Sequence, residues 1–132
     1  MEGCCMIITG NNNIIRIRDS VSTSVNITME DNDNYIKLAD HFRGSGHSEL
    51  AAIEGTSIVL GQDCLLSANI SVSTGDSHSI TNMEGKRINP SRSVVFGDHA
   101  WIGNTMLVFK GVTIGSFVEV VLSQKRFSRI IL

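Results

Sequence analysis

The sequence predicts an all-β chain that winds into a parallel β-solenoid built from six-residue steps. Bulky apolar residues recur every six positions in its second half, and glycine follows several of them, as in Phe96-Gly97, Ile102-Gly103 and Ile114-Gly115. This period fits neither the helical repeat of about 3.6 residues nor the simple alternation of a lone strand. It is typical of a chain that turns a corner every six residues and stacks each coil on the previous one.

The composition agrees with this class of fold. The chain has 132 residues, 42% of them hydrophobic but only 5% aromatic, with 12 glycines and one proline. Most apolar residues are therefore Ile, Val and Leu, which favour strands. We expect a single domain, residues 1–132, with little helix. A formal net charge of -2 gives no electrostatic case for binding nucleic acid.

The chain carries no sign of a membrane segment or of a disulfide framework. No apolar run approaches the length that spans a bilayer, and the first ten residues lack the regions of a signal peptide. We therefore expect a cytoplasmic protein. The three cysteines, Cys4, Cys5 and Cys64, lack metal-ligand or disulfide spacing. Cys64 falls on an inward position of the repeat and is predicted to lie in the core.

The first half of the chain carries a looser version of the repeat. Between residues 7 and 59, apolar and polar residues alternate as in half-buried strands, and the polar residues 31–34 interrupt them. Residues 44–46 and 54–57 are predicted to form corners or small outward loops. The three asparagines at 11–13 are predicted to lie at a tight corner and to form a ladder between coils, because Asn tolerates left-handed backbone.

The regular repeat is interrupted once. It runs from Leu60 to Val72 and resumes at Phe96, after an interval that is a whole number of hexads. Because the phase is kept, residues 75–93 are predicted to leave the solenoid as a projecting loop. Long polar loops on rigid scaffolds usually carry function.

The projecting loop and the restart of the coil contain an ordered set of motifs. The loop begins GDSHSI at Gly75 and later reads RINP from Arg87, and the coil restarts as GDHAWIG at Gly97. Together with KGVTIG, these motifs resemble the hexapeptide-repeat acyltransferases. Within that family they are most similar to bacterial capsular and surface-polysaccharide O-acetyltransferases, such as the polysialic acid O-acetyltransferases. The resemblance implies a left-handed parallel β-helix, a homotrimer with active sites between subunits, acetyl-CoA as co-substrate and a carbohydrate acceptor.

The resemblance implies that His78 is the catalytic base. An imidazole that titrates near neutral pH suits this role, because it takes the proton of a sugar hydroxyl as that hydroxyl attacks the thioester carbonyl. Either Asp76 or Glu84 is expected to orient His78. A backbone N–H near the restart of the coil is expected to donate to the oxyanion of the intermediate.

Further candidates surround this base. By alternation Trp101 faces outward, where the resemblance makes it a wall of the binding groove and the alternative is subunit packing. His99 is expected to support the site from behind or to lie at the interface, rather than to act as a second base. Lys110 is a candidate for a CoA phosphate, or else a solvated surface lysine, and no metal is expected. The candidates for acetyl-CoA are Trp101, Gly103, Asn104 and Lys110; those for the acceptor are His47, Glu49, Asp76, Ser77 and Trp101.

The C-terminal end, residues 116–132, departs from the family pattern. Bulkier residues stand where relatives have the small Gly and Ala that let the pantetheine arm approach the backbone. We therefore expect weaker acetyl-CoA binding. The alternative function is a degenerate, truncated member that keeps the trimeric β-helix but has lost activity. The apolar tail at 130–132 is expected to fold back as a lid or to pair with another molecule.

Overall fold

The chain is folded entirely from short β-strands. A computed structural model of the protein describes residues 4–122 and 130–131, and within these ranges it contains strands and no helix. In chain order the strands are β1 (Cys5–Ile8), β2 (Ile14–Ile17), β3 (Ser22–Glu30), β4 (Tyr35–Leu38), β5 (Arg43–Ile53), β6 (Ser57–Leu60), β7 (Leu65–Leu66), β8 (Ile70–Ser73), β9 (Val94–Phe96), β10 (Trp101–Ile102), β11 (Met106–Val108), β12 (Thr113–Ile114), β13 (Glu119–Leu122) and β14 (Ile130–Ile131).

The strands form three faces of a parallel β-solenoid of about five turns, which confirms the predicted solenoid. The first face is the sheet β12-β9-β6-β4-β2. The other two faces belong to one sheet that bends, because β5 pairs with β7 at Arg43 and Gly44 and with β8 from Ser48 to Ala51. We call the part containing β7 and β10 the second face, and the part containing β8 and β11 the third face.

Apolar residues in successive coils lie directly over one another. On the first face, Leu38 pairs with Leu60, Leu60 with Phe96, and Phe96 with Ile114. All four side chains are buried. Each coil therefore repeats the same inward column, and burial of this column is the physical origin of the six-residue pattern.

Glycine follows the inward residue of the first face because the coils come very close at that corner. A Cβ atom on Gly97 would lie 2.5 Å from the backbone nitrogen of Ser116, and one on Gly61 would lie 2.6 Å from the carbonyl carbon of Gly97. No side chain fits between coils at these two positions.

The corner between the first and second faces is built from left-handed residues that are not glycine. Ser20, His41, Asp63, His99 and Phe117 occupy this corner in successive coils, with φ between 54° and 61°. From His41 onward their amides donate to the preceding coil, as His41 N–H does to Asp19 O at 2.9 Å and Phe117 N–H to Asp98 O at 2.9 Å. Hydrogen bonds between coils thus stabilise a left-handed backbone conformation that most residues avoid.

Asparagine forms a buried ladder at the corner that precedes the first face. Asn34 is 1% exposed and its Nδ2 donates to the Asn13 side chain at 3.0 Å. Its Oδ1 accepts from the N–H groups of Gly55 and Thr56, at 3.0 and 3.1 Å. Asn12 has a φ of 59°. The asparagine run at 11–13 therefore lies at a corner and joins a ladder between coils, as expected.

The structure also bears on three other predictions from the sequence. Cys64 is 1% exposed, which confirms it as a core residue, and burial raises the pKa of its thiol. Residues 44–46, predicted as a corner or a small outward loop, lie inside β5, where this strand bends from the second face to the third. Ile130 and Ile131 pair antiparallel with Leu122 and Val121, so that this part of the tail extends the sheet. Leu132, the remaining residue of that tail, lies outside the described residues.

Among residues 4–122 and 130–131, no helix is long and apolar enough to cross a bilayer.

Candidate functional site

The chain leaves the solenoid after β8 and returns to it at β9. At the base of this excursion the N–H of Arg92 donates to the carbonyl of Thr74 at 2.8 Å. Farther out, Ile88 N–H donates to Ile80 O at 2.8 Å, and Thr81 bridges antiparallel to Arg87. The outer part of the projecting loop is therefore a hairpin. Its tip is closed by Asn82, whose Oδ1 accepts from two backbone N–H groups of the turn.

Two ion pairs tie the projecting loop to the solenoid, one to a coil on each side of its base. Arg87 donates to both carboxylate oxygens of Glu54, at 2.5 and 2.8 Å. The ammonium group of Lys110 donates a hydrogen bond to the carboxylate of Asp76. Glu54 follows β5, in the coil before the loop, and Lys110 follows β11, in the coil after it.

These contacts set the charge state of both carboxyls. The hydrogen bond from Arg87 is the main cause that holds the pKa of Glu54 below its ordinary value. The hydrogen bond from Lys110, followed by that from Asn89, lowers the pKa of Asp76. Both groups are thus stabilised as carboxylates, and the loop is held by charge-assisted bonds.

The two limbs of the loop are joined by Asn89, which is 7% exposed. Its Oδ1 accepts from Ile80 N–H at 2.6 Å and from Arg87 Nε at 3.3 Å. Its Nδ2 donates to the carbonyl of His78 at 2.6 Å and to Asp76 Oδ2 at 3.0 Å. Nothing in the spacing of the sequence indicated this role, although the RINP motif that contains Asn89 was itself a signal.

His78, the predicted base, lies on the exposed outgoing limb of the loop. The residue before it, Ser77, has left-handed backbone with a φ of 61°. Within the described residues the His78 imidazole has no hydrogen-bond partner. Asp76 is instead engaged with Lys110 and Asn89, while Glu84 lies at the hairpin tip. Neither of the two carboxyls expected to orient His78 therefore does so within one subunit.

Trp101 lies on the second face, away from the base of the projecting loop. Its side chain points outward, as alternation predicted, and the residue is 44% exposed. Its indole N–H donates to Ser67 Oγ at 3.4 Å. Beside it is a groove of about 410 Å³, lined by Arg43, Asp63, Cys64, Leu65, His99, Ala100 and Trp101.

His99 borders this groove at the left-handed corner. Its ring stacks on Phe117 with centroids 4.7 Å apart and an angle of 10° between the planes. Its Nε2 lies 3.7 Å from Asp63 Oδ2. These two contacts hold the His99 ring against the corner, next to Trp101.

His47 and Glu49, the candidates for the acceptor, lie together on the third face. Both are exposed and line a shallow groove of about 210 Å³ with Asn69, Ile70 and Ser71. Ser71 lies next to Glu49 in register on the following coil. The hydroxyl, carboxylate and imidazole groups of this groove are able to form hydrogen bonds with the hydroxyls of a sugar.

The restart of the coil offers few free amides. The N–H groups of Gly97, His99, Trp101 and Gly103 all donate to carbonyls of neighbouring coils, at 2.6 to 2.9 Å. None of these four is free to serve as the expected oxyanion donor. Asn104 is exposed and lies at the next corner, where its Oδ1 accepts from the N–H of Ala68 at 3.0 Å.

The candidate residues therefore fall into separate groups on one subunit. Asp76, Ser77 and His78 lie on the loop with Lys110 beneath them, Trp101 with Gly103 and Asn104 on or beside the second face, and His47 with Glu49 on the third. No hydrogen bond or ion pair among the described residues joins His78 to Trp101 or His47. In the same part of the chain, no group of three or more His, Cys, Asp or Glu is placed to hold a metal ion.

The parallel solenoid with its projecting loop fits the class of hexapeptide-repeat acyltransferases. Sequence comparison finds a similar protein. The chain is homologous to the polysialic acid O-acetyltransferase of Neisseria meningitidis, with 29% identity over 80% of this chain and 60% of that protein. It thus spans less than two thirds of the relative's length. No protein-family model matches the sequence.

Solved structures show the same architecture. The crystal structure of the polysialic acid O-acetyltransferase OatWY superposes with a TM-score of 0.76 and 23% identity, over 97% of this chain and 67% of that one. The polySia-specific acetyltransferase NeuO gives a TM-score of 0.58 and 13% identity, over 99% of this chain and 87% of that one. At these identities the likeness establishes the fold alone.

Proposed function

We propose that this protein is an acetyl-CoA-dependent O-acetyltransferase that acts on a hydroxyl of a bacterial surface polysaccharide or its precursor. Homology to a polysialic acid O-acetyltransferase carries the proposal and makes a sialic acid polymer the first acceptor to test. Because acetyl-CoA is the donor, the proposal places the protein in the bacterial cytoplasm.

The proposed mechanism uses His78 as general base. As the acceptor hydroxyl oxygen attacks the thioester carbonyl, the imidazole takes the hydroxyl proton and a carbon–oxygen bond forms. The tetrahedral intermediate then collapses, the carbon–sulfur bond breaks, and the CoA thiolate leaves with the proton returned by the imidazolium. No electrons are exchanged with an outside reagent. The exposed and unpartnered ring of His78 leaves a nitrogen open to the acceptor.

The active site of the proposed enzyme is shared between subunits of a homotrimer. His78 extends from the corner where the third face meets the first, whereas Trp101 and its groove belong to the second face. One subunit thus presents the base and a neighbouring subunit presents the binding groove. We assign Trp101, Gly103 and Asn104 to acetyl-CoA, and His47, Glu49 and Ser77 to the acceptor. Asp76 and Lys110 pair with each other at the base of the loop, next to this cleft.

A second candidate function is a scaffold that still assembles but no longer transfers acetyl groups. It is favoured by the pairing at the C-terminal end, where β14 runs antiparallel to β13 instead of continuing the parallel stack. In this case acetyl-CoA binds too weakly for turnover at cellular concentration.

Thiol release separates the two functions. Acetyl-CoA is supplied with polysialic acid, with other capsular sugars or without acceptor, and free CoA is measured for the wild type, His78→Ala and the control His41→Ala. His41 is also exposed, but it lies on the corner ladder away from the projecting loop. We expect His78→Ala to lower turnover about 10²–10⁴-fold and His41→Ala to leave it unchanged. Full activity of His78→Ala removes that residue from the mechanism. No release with any acceptor, together with no binding of CoA by calorimetry, leaves the scaffold function.

A further inference from the structure

Asn89 is the one side chain that holds both limbs of the projecting loop at the level of His78. A carboxamide offers two acceptor positions on oxygen and two N–H donors. In Asn89 all four are used, by Ile80 N–H, Arg87 Nε, the His78 carbonyl and Asp76 Oδ2. A buried amide with every bond made is costly to disturb, because each partner then loses a bond that water cannot easily replace.

The backbone around His78 needs such support. Ser77 adopts left-handed backbone at a φ of 61°, which is unfavourable for a residue with a side chain. The next residue is His78, whose carbonyl is bound by Asn89 Nδ2 at 2.6 Å. On the other side of Ser77, Asp76 is bound by the same Nδ2 and by Lys110. The strained residue is thus fixed on both sides, and this sets the backbone position from which the His78 side chain extends.

We propose that Asn89 is a positioning residue for His78: its Nδ2 group fixes the backbone on which the catalytic imidazole is carried. This inference rests on the proposed function of His78 as general base. Asn89 does not touch the reacting atoms and acts only through the loop. Displacement of a catalytic group by about 1 Å is enough to cost on the order of 10² in rate.

Two substitutions separate the roles of the two ends of the carboxamide. Asn89→Asp keeps the oxygen that accepts from Ile80 and Arg87 but removes both Nδ2 donors. Asn89→Ala removes all four bonds. The matched control is Asn82→Ala, which removes an asparagine of the same loop whose bonds are confined to the hairpin tip. We expect Asn89→Asp and Asn89→Ala to lower kcat about 10- to 100-fold with little change in KM, and Asn82→Ala to stay within about 2-fold.

A second measurement asks whether Asn89 acts through His78. In a His78→Ala background, Asn89→Asp is expected to cause no further loss of turnover, because the group that it positions is already absent. The same factor of loss in both backgrounds overturns the proposal, as does a normal kcat for Asn89→Asp. A loss confined to KM also overturns it, because positioning of the base acts on the chemical step.

A readout that needs no activity keeps this test distinct from that of the proposed function. The imidazole resonances of His78 are followed by NMR, along with hydrogen exchange at the Ile80 amide. We expect the imidazole signals to shift in both Asn89 variants, whereas the Ile80 amide loses protection only in Asn89→Ala. If the wild type releases no thiol, the proposed function fails, and these spectra alone decide on Asn89. Unshifted His78 signals in Asn89→Asp overturn the positioning role whatever the activity.

Discussion

Arg87 and Glu54 form a two-pronged ion pair between the hairpin of the projecting loop and the coil before it. Each oxygen of the Glu54 carboxylate accepts one N–H of the guanidinium, at 2.5 and 2.8 Å. Both side chains are about one-third exposed, so water screens their attraction in part. The planar geometry of the guanidinium and the carboxylate still makes this ion pair the most directional contact between the projecting loop and the solenoid.

Removing the charge of Glu54 is expected to loosen the hairpin without unfolding the coil. In Glu54→Gln, tryptic cleavage after Lys86 and Arg87 is expected to be about 2- to 5-fold faster, because partly exposed ion pairs contribute about 0.2–1 kcal/mol and cleavage follows the open population. The control is Glu84→Gln at the hairpin tip. Equal cleavage rates for both variants and the wild type would show that the pair does not restrain the loop.

The pKa of Asp76 provides a test of the ion pair that this residue forms at the base of the loop. Hydrogen bonds from Lys110 and Asn89 lower this pKa in the folded protein. The contribution of the pair to loop order is therefore complete above the unfolded pKa, about 3.9, and is lost as pH falls through the lower folded value. Lys110→Met is expected to raise the Asp76 midpoint in a carboxyl NMR titration, and Lys86→Met is expected to leave it in place. An unmoved midpoint in Lys110→Met contradicts the assignment.

The corner glycines allow a sharp comparison of stability. Gly97→Ala places a methyl group 2.5 Å from a backbone nitrogen, which cannot move aside as a side chain can. We expect a loss of about 1–3 kcal/mol in the free energy of unfolding, from urea denaturation. Gly115 occupies the same column one coil later, but its Cβ would meet only Val118 at 3.7 Å. Gly115→Ala is therefore expected to cost less than about 1 kcal/mol, and equal losses would refute the steric explanation.

The asparagine ladder is expected to be a major source of stability in the first coils. Asn34→Ala leaves the Gly55 and Thr56 amides and the Glu30 carbonyl without their partner in a buried corner. We expect it to lower the free energy of unfolding by at least about 2 kcal/mol. Asn32→Ala, which removes one exposed bond to Asn11 N–H, is the control and is expected to cost under about 1 kcal/mol. A smaller effect for Asn34 than for Asn32 would be inconsistent with the ladder.

The sequence is sufficient to predict the coil, because burial repeats along it with a fixed period. Leu60 and Phe96 occupy the same inward column, and the outward direction of Trp101 follows from alternation. Glycine and serine at 44–46 indicated a corner or a small loop, but not that a single strand bends across two faces there. A short window of sequence does not contain the information that β5 continues through them.

The supports of the loop are harder to predict, because their partners are far apart in the chain and obey no period. Glu54 meets Arg87 and Asp76 meets Lys110 only after the coils have stacked and the loop has folded back. Asn89 belongs to the RINP motif, but the motif does not show which groups its side chain will meet. Its amide becomes buried and fully hydrogen-bonded only when the two limbs of the loop come together in the folded protein.

The register across the loop separates its chemistry from its scaffold. Leu60 and Phe96 are paired neighbours 36 positions apart, whereas Phe96 and Ile114 are paired neighbours 18 positions apart. The additional residues of the loop leave the solenoid and return to it at one point, where the N–H of Arg92 donates to the carbonyl of Thr74. A segment of different length and sequence can therefore be grafted between these two residues while every inward column keeps its partners. The sequence of the loop and the thermal stability of the coil are then free to diverge independently among proteins built this way.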